Sequence, residues 1–155
     1  MRVLTSYLLI CFLFCCTSEE QKGHVIKVID GDTFDLKYGD EKIRVRLFGI
    51  DSPERGQAFN VKAKEFTASL IADKDVRVVL INKDRYGRSV ADVYLEDGTH
   101  VNSAIVKAGY AWHFKQYTDD PDLARLETEA HRARSGLWQD VDPIAPWEFR
   151  RRKSK

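Results

Sequence analysis

The sequence predicts a mainly β chain with helices (α+β), closed as a five-stranded Greek-key barrel carrying three helices. Three observations support this. Five short runs are β-branched or alternate apolar with polar residues. Turn-forming pairs such as Asp30-Gly31 and Tyr38-Gly39 separate the first of them. Helical spacing appears after the third run and again after the fifth.

The first strand is expected at residues 24–29, where His24-Val25-Ile26-Lys27-Val28-Ile29 is rich in branched side chains. Asp30-Gly31-Asp32 turns it into a second strand at 33–37, because Asp-Gly readily supplies positive φ. Residues 42–50 alternate for long enough to form one third strand. Val45 and Leu47, with Ile43 in the same phase, face one side; Arg44, Arg46 and Phe48 face the other. A polar loop with Pro53 and Gly56 follows. A helix is then expected from Asn60 to about Asp73, with Ala63, Phe66, Leu70 and Ile71 on one face. Strands four and five fall at 76–81 and 89–95, joined by the charged turn Lys83 to Arg88. A short second helix carries Val101, Ala104, Ile105 and Ala108 and stops at Gly109. Residues 110–117 are aromatic and irregular. Asp120 before Pro121 is a cap followed by proline at the first helical position, and Leu123, Leu126, Ala130, Ala133 and Leu137 keep helical spacing. The barrel is of the oligonucleotide-binding type on this count of elements; a mixed α+β sandwich fits the periodicity nearly as well.

Domain organisation follows from composition. Residues 1–18 read as a signal peptide, with Leu8 to Phe14 as an apolar run too short to span a bilayer. Residues 19–23 read as a linker, 24–148 as one domain and 149–155 as a basic tail. Cys11, Cys15 and Cys16, the three cysteines, all sit in the leader, so the domain has no internal disulfide. Leu13-Phe14-Cys15-Cys16 resembles a bacterial lipoprotein signal in which Cys16 is lipidated; ordinary cleavage after Ser18 is the alternative. Export is expected either way: secreted, periplasmic or tethered to the cell envelope. Removing Arg2 with the leader leaves 24 basic against 24 acidic residues, so bulk charge signals no nucleic-acid coat. Phosphate binding has to come from local placement.

The local placement centres on Arg46 and Asp51-Ser52-Pro53-Glu54. Asp32 ends the first turn and Asp51 ends strand three; neighbouring strands can bring the two around one Ca²⁺ or Mg²⁺. Asp-Gly-Asp alone is also an ordinary hairpin tripeptide. No His/Cys cluster suits zinc, because His24, His100, His113 and His131 are scattered. Pro53 fixes the backbone before Glu54, which is placed to take a proton from water. Arg46 alternates with apolar residues and needs an anionic partner. With Arg88, at the end of the charged turn, it can offset charge on a phosphate.

Val28-Ile29-Asp30-Gly31-Asp32-Thr33, the stretch from Arg46 to Glu54, and Asp84-Arg85-Tyr86-Gly87-Arg88 resemble the staphylococcal nuclease (thermonuclease) family. Val101-Asn102 with Ala104 and Gly109, and Ser135-Gly136-Leu137-Trp138, are similar too. The resemblance covers about residues 23 to 148. It implies Ca²⁺-dependent endonucleolytic hydrolysis of DNA and RNA to 3′-phosphate ends. By position, it makes Asp32, Asp51 and the Ser52 carbonyl the metal ligands, where the best-known members have Thr in place of Ser52. Glu54 becomes the general base, Arg46 and Arg88 the catalytic arginines, and Asp30 an acid just outside the metal shell. Arg85, in place of the more familiar Lys, and Tyr86 fall where the family contacts a terminal phosphate. Tyr117 matches a base-packing tyrosine, while Lys115 stands where another tyrosine is expected, and the loop after Glu54 is shorter. Single-stranded DNA and RNA, or denatured duplex, are the expected substrates of a monomer. The alternative is a binding module on the same barrel without catalysis. Retention of Asp32, Arg46, Asp51, Glu54 and Arg88 favours the enzyme. The basic tail at 150–152 either adds phosphate contacts or merely solubilises.

Overall fold

The structure, a computed structural model, describes residues 20–154; the leader, with the expected signal segment and Cys16, lies outside the described residues. Five strands close a barrel: β1 (Glu20–Val28), β2 (Thr33–Tyr38), β3 (Glu41–Leu47), β6 (Ser89–Tyr94) and β5 (Asp75–Lys83), in that order. Pairing of β1 with β5 completes the ring. Only β3 and β6 run parallel among these pairs. The α+β barrel expected from the alternation is therefore present, and closure pairs each of its five strands on both sides.

Alternation decides what fills the barrel. Val25, Phe34, Leu36, Val45, Leu47, Val76, Val78, Ala91 and Val93 are buried inside it. Ile43 packs partly buried beside them, and Arg44 stays outside, as the phase of strand three predicts. Helix α1 (Asn60–Ile71) buries Ala63 and Ile71 and packs Phe66 and Leu70 on the core. Helix α2 (Val101–Lys107) buries Val101, Ile105 and Val106. Helix α3 (Pro121–Arg132) starts where expected: the Asp120 carboxylate accepts from the N–H groups of Asp122 and Leu123 at 2.7 and 3.2 Å.

Four expectations need correction. Residues 20–23 are not a linker; they open β1 and pair with Val76 to Val79 of β5. Strand three is not continuous to residue 50. Gly49 takes φ 71°, which ends the run, and β4 (Ile50–Asp51) pairs instead with β7 (Trp112–His113) inside the aromatic stretch. Helix α3 ends at Arg132, so Ala133 is only its cap and Leu137 belongs to a 3-10 turn, Gly136–Gln139. Gly109 and Gly136 meet there backbone to backbone: a Cβ on Gly136 would lie 2.2 Å from the Gly109 carbonyl oxygen. Finally, residues 149–153 are not a tail. They belong to a fourth helix, α4 (Pro146–Lys153). Pro146 sits in its first turn, and Trp147 stacks on Phe114 with ring centroids 5.3 Å apart.

Candidate active site

The site forms where the β1–β2 turn meets the end of β4. In the β2–β3 pairing Thr33 stands opposite Arg46, and the Leu47 N–H donates to the Asp32 carbonyl at 2.8 Å. That register sets Asp32 beside Arg46. Gly31 explains how the turn reaches the next loop, and the reason is not positive φ. A Cβ there would lie 2.7 Å from Ser52 Cβ and 2.9 Å from Ala63 Cβ. Only glycine permits this approach. The Thr67 hydroxyl of α1 locks the turn by donating to the Gly31 carbonyl at 2.7 Å.

Asp32 and Asp51 are both buried. The Asp32 carboxylate accepts from the Ser52 N–H at 2.6 Å and from the Thr33 hydroxyl at 3.1 Å. Arg46 lies between the acids. Its Nη2 donates to Asp51 at 2.9 Å, and its Nη1 is 3.2 Å from Asp32. Nη1 also donates to the carbonyls of Leu47 and Ile50, both at 2.9 Å, so the guanidinium ties down the break between β3 and β4. Burial pushes the Asp51 carboxyl above its ordinary value, and the Asp32 charge adds to this against Arg46 and Arg150. Burial, and then the charge of Asp32, push Asp30 up to about 7; Asp30 in turn accepts from the Asp32 N–H at 3.1 Å.

Glu54 is aimed by more than Pro53. Its N–H donates to the Gln57 side-chain oxygen at 2.9 Å, and Gln57 donates to the Ile144 carbonyl at 2.6 Å. Asn60 holds the Pro53 carbonyl at 2.7 Å. Neither Gln57 nor Asn60 is marked in the sequence as a support of Glu54, since a polar side chain carries no signal of its partner.

A further residue completes the cluster. Arg150 of α4 donates from Nη2 to Asp51 at 2.8 Å, and from Nη1 to Glu54. Burial works against its charge, yet the bonds to Asp51 and Glu54 raise its pKa. The only sequence signal for it was the run of basic residues.

The oxygen chemistry fits a hard cation. Among the described residues no group of three or more His, Cys, Asp or Glu side chains is placed to hold a metal. The oxygens that could hold one are the Asp32 and Asp51 carboxylates and the Ser52 carbonyl.

The other expected residues make their contacts with other partners. Arg88 donates from Nε to Asp84 at 2.7 Å and sits over the Tyr86 ring. Although burial pushes the Asp84 carboxyl up, the Arg88 bonds hold it below its ordinary value. Arg85 donates to the Tyr86 hydroxyl at 2.8 Å. Asp35, Lys42, Arg44, Tyr86 and Arg88 line a cleft of about 360 Å³. Tyr117 is exposed and rests on Phe114, the ring that stacks on Trp147. Lys115 is engaged with Glu127 at 2.8 Å.

The family described as "Staphylococcal nuclease homologue" matches residues 44–140. This chain belongs to the staphylococcal nuclease family. A protein of Escherichia coli named "Uncharacterized endonuclease" is 43% identical over 131 residues, covering 84% of this chain and 86% of its own length. A Haemophilus influenzae protein of the same name is 41% identical over 153 residues, covering 97% and 85%. A Shigella flexneri protein named "Micrococcal nuclease" is 38% identical over 140 residues, covering 84% and 80%. In this staphylococcal nuclease homologue, Arg46 joins Asp32 and Asp51, and Arg150 of α4 reaches Asp51 and Glu54.

Proposed function

We propose that the protein is an exported, Ca²⁺-dependent endonuclease that hydrolyses single-stranded DNA and RNA, and denatured duplex, to 3′-phosphate ends. The observation that carries this reading is that Arg46 joins Asp32 to Asp51 while Arg150 joins Asp51 to Glu54, which brings the three acids together. Asp32, Asp51 and the Ser52 carbonyl would hold Ca²⁺, which when bound would supply Lewis-acid polarisation of a phosphoryl oxygen. Glu54 takes the proton of a water beside it. The water oxygen bonds to phosphorus as the bond to the 5′-oxygen breaks, and that oxygen leaves with a proton from solvent. Arg46 and Arg88 offset charge on the phosphoryl oxygens. Arg85 and Tyr86 hold an adjacent phosphate, and Tyr117 stacks a base.

Glu54→Gln keeps the shape of the side chain and removes the base. Turnover on single-stranded DNA should fall by at least ~10² while the variant still binds Ca²⁺. Near-normal turnover would remove Glu54 from the mechanism. Chelation by EDTA should abolish cleavage by the wild type; persistent activity would refute the metal assignment. The apolar run Leu8 to Phe14 supports export, and Cys16 is the proposed point of lipid attachment. A palmitate analogue should label the wild type and not Cys16→Ser.

A further inference from the structure

We propose that Arg150 is a further active-site residue: a guanidinium that rests on Asp51 and Glu54, yields Asp51 to the incoming divalent cation, and then binds the scissile phosphate. The proposal rests on the nuclease reading above and assigns part of its chemistry to α4.

The geometry is specific. One guanidinium bridges the residue that ligates the cation and the residue that takes the proton. Its Nη1 also lies 3.3 Å from the second Asp51 oxygen, which Arg46 already holds at 2.9 Å. Arg150 thus takes the Asp51 oxygen that Arg46 leaves free. A cation that binds Asp51 through that oxygen must displace it. The displaced side chain stays close, because α4 is fastened at several points. Trp147 stacks on Phe114 and meets Trp112 edge-on at 5.8 Å. Pro146 is buried, and Lys153 donates to the Arg55 carbonyl at 3.2 Å.

Charge gives the displaced guanidinium its next partner. Asp32, Asp51 and Glu54 set three carboxylates against Arg46. A divalent cation brings the formal charge of that cluster only to zero, so a further guanidinium makes the approach of a phosphodiester anion more favourable. Arg88, which the nuclease reading also sets against the phosphate, shares its charge with Asp84 at 2.7 Å, so Arg150 adds to it. Arg150 makes the cation-loaded site positive where the anion enters. It can also present two parallel N–H groups to a phosphate, as it does to carboxylates here. No proton leaves it; it acts through hydrogen bonds and charge alone.

The test reads two quantities that should move in opposite senses. Ca²⁺ is titrated calorimetrically into the metal-free full chain as wild type, Arg150→Ala and Arg150→Lys. Turnover of a single-stranded DNA oligonucleotide is measured on the same three proteins at saturating Ca²⁺. In Arg150→Ala, Ca²⁺ should bind about fivefold more tightly, because a competing partly exposed ion pair is gone. Its kcat should fall about 10²-fold, through loss of a phosphate-binding group. Arg150→Lys should recover part of kcat, since it keeps the charge and loses the fork. Unchanged or weaker Ca²⁺ binding in Arg150→Ala overturns the proposal. So does a kcat within twofold of wild type, which would make Arg150 a plug and nothing more. If Arg150→Ala does not fold, Arg150→Gln is read by the same criteria. Failure of the nuclease reading looks different: the wild type itself would cleave neither DNA nor RNA at saturating Ca²⁺.

Discussion

Arg46 shows how much a single side chain organises. With only 13% of its side chain exposed, it contacts two buried carboxylates and two backbone carbonyls. Removing it takes the ion-pair partner from buried Asp32 and leaves buried Asp51 to Arg150. Arg46→Met should therefore cost about 3 kcal/mol in urea unfolding of the metal-free protein. A loss under ~1 kcal/mol would mean that water already screens the pair. The alternation of strand three was enough to predict that Arg46 needs an anionic partner. Its hold on the Leu47 and Ile50 carbonyls was not predictable, because it depends on the chain breaking at Gly49. Gly31 is a similar case. Its identity was visible, but the expected reason was a turn with positive φ. The actual reason is the 2.7 Å approach of Ser52, which belongs to another segment.

At the scale of the element, α4 departs most from expectation. Its sequence, with Arg150-Arg151-Arg152-Lys153 at the end, reads as solvated charge. Those cations suit the C-terminal turn of a helix, where they meet the negative end of its dipole. Docking, however, is decided by Trp147 on Phe114 and Trp112, rings more than thirty residues away in sequence. Trp147→Ala should loosen the helix as a unit, at a cost of about 3 kcal/mol in global stability. Trypsin should then cut at residues 150–153 several-fold faster than in the wild type, because cleavage needs local opening. Equal cutting rates would show that the aromatic cluster does not hold α4. By contrast, α3 was legible to its first residue, since Asp120 and Pro121 carry their capping chemistry locally. Its early end at Arg132 was not, because the chain turns left-handed at Arg134, a non-glycine residue that carries no stop signal.

For the molecule as a whole, stability at low pH should depend on Asp35. This residue is buried on β2 between Phe34 and Leu36, and pairs with Arg44 and Lys42, each at 2.8 Å. The Arg44 bond, chiefly, holds its carboxyl below the usual 3.8 against the opposing effect of burial, and Lys42 adds to it. A lowered value means that the contribution is present above about pH 4 and is lost as pH falls through the folded-state value. Asp35→Asn should cost about 1–2 kcal/mol at pH 7 and flatten the fall in stability between about pH 4 and 2. An unchanged acid limb in urea melts would assign acid unfolding to other groups. The strand alternation, the turn dipeptides and the three motif blocks determined the barrel, the family and the acids, because each of those signals lies within a few neighbouring residues. Tertiary structure alone decided that β4 pairs with β7, that residues 20–23 close the barrel, and that Arg150 enters the site. Those outcomes depend on groups between 50 and 100 positions apart meeting in space, and a charged or aromatic side chain does not reveal its distant partner until the core has packed.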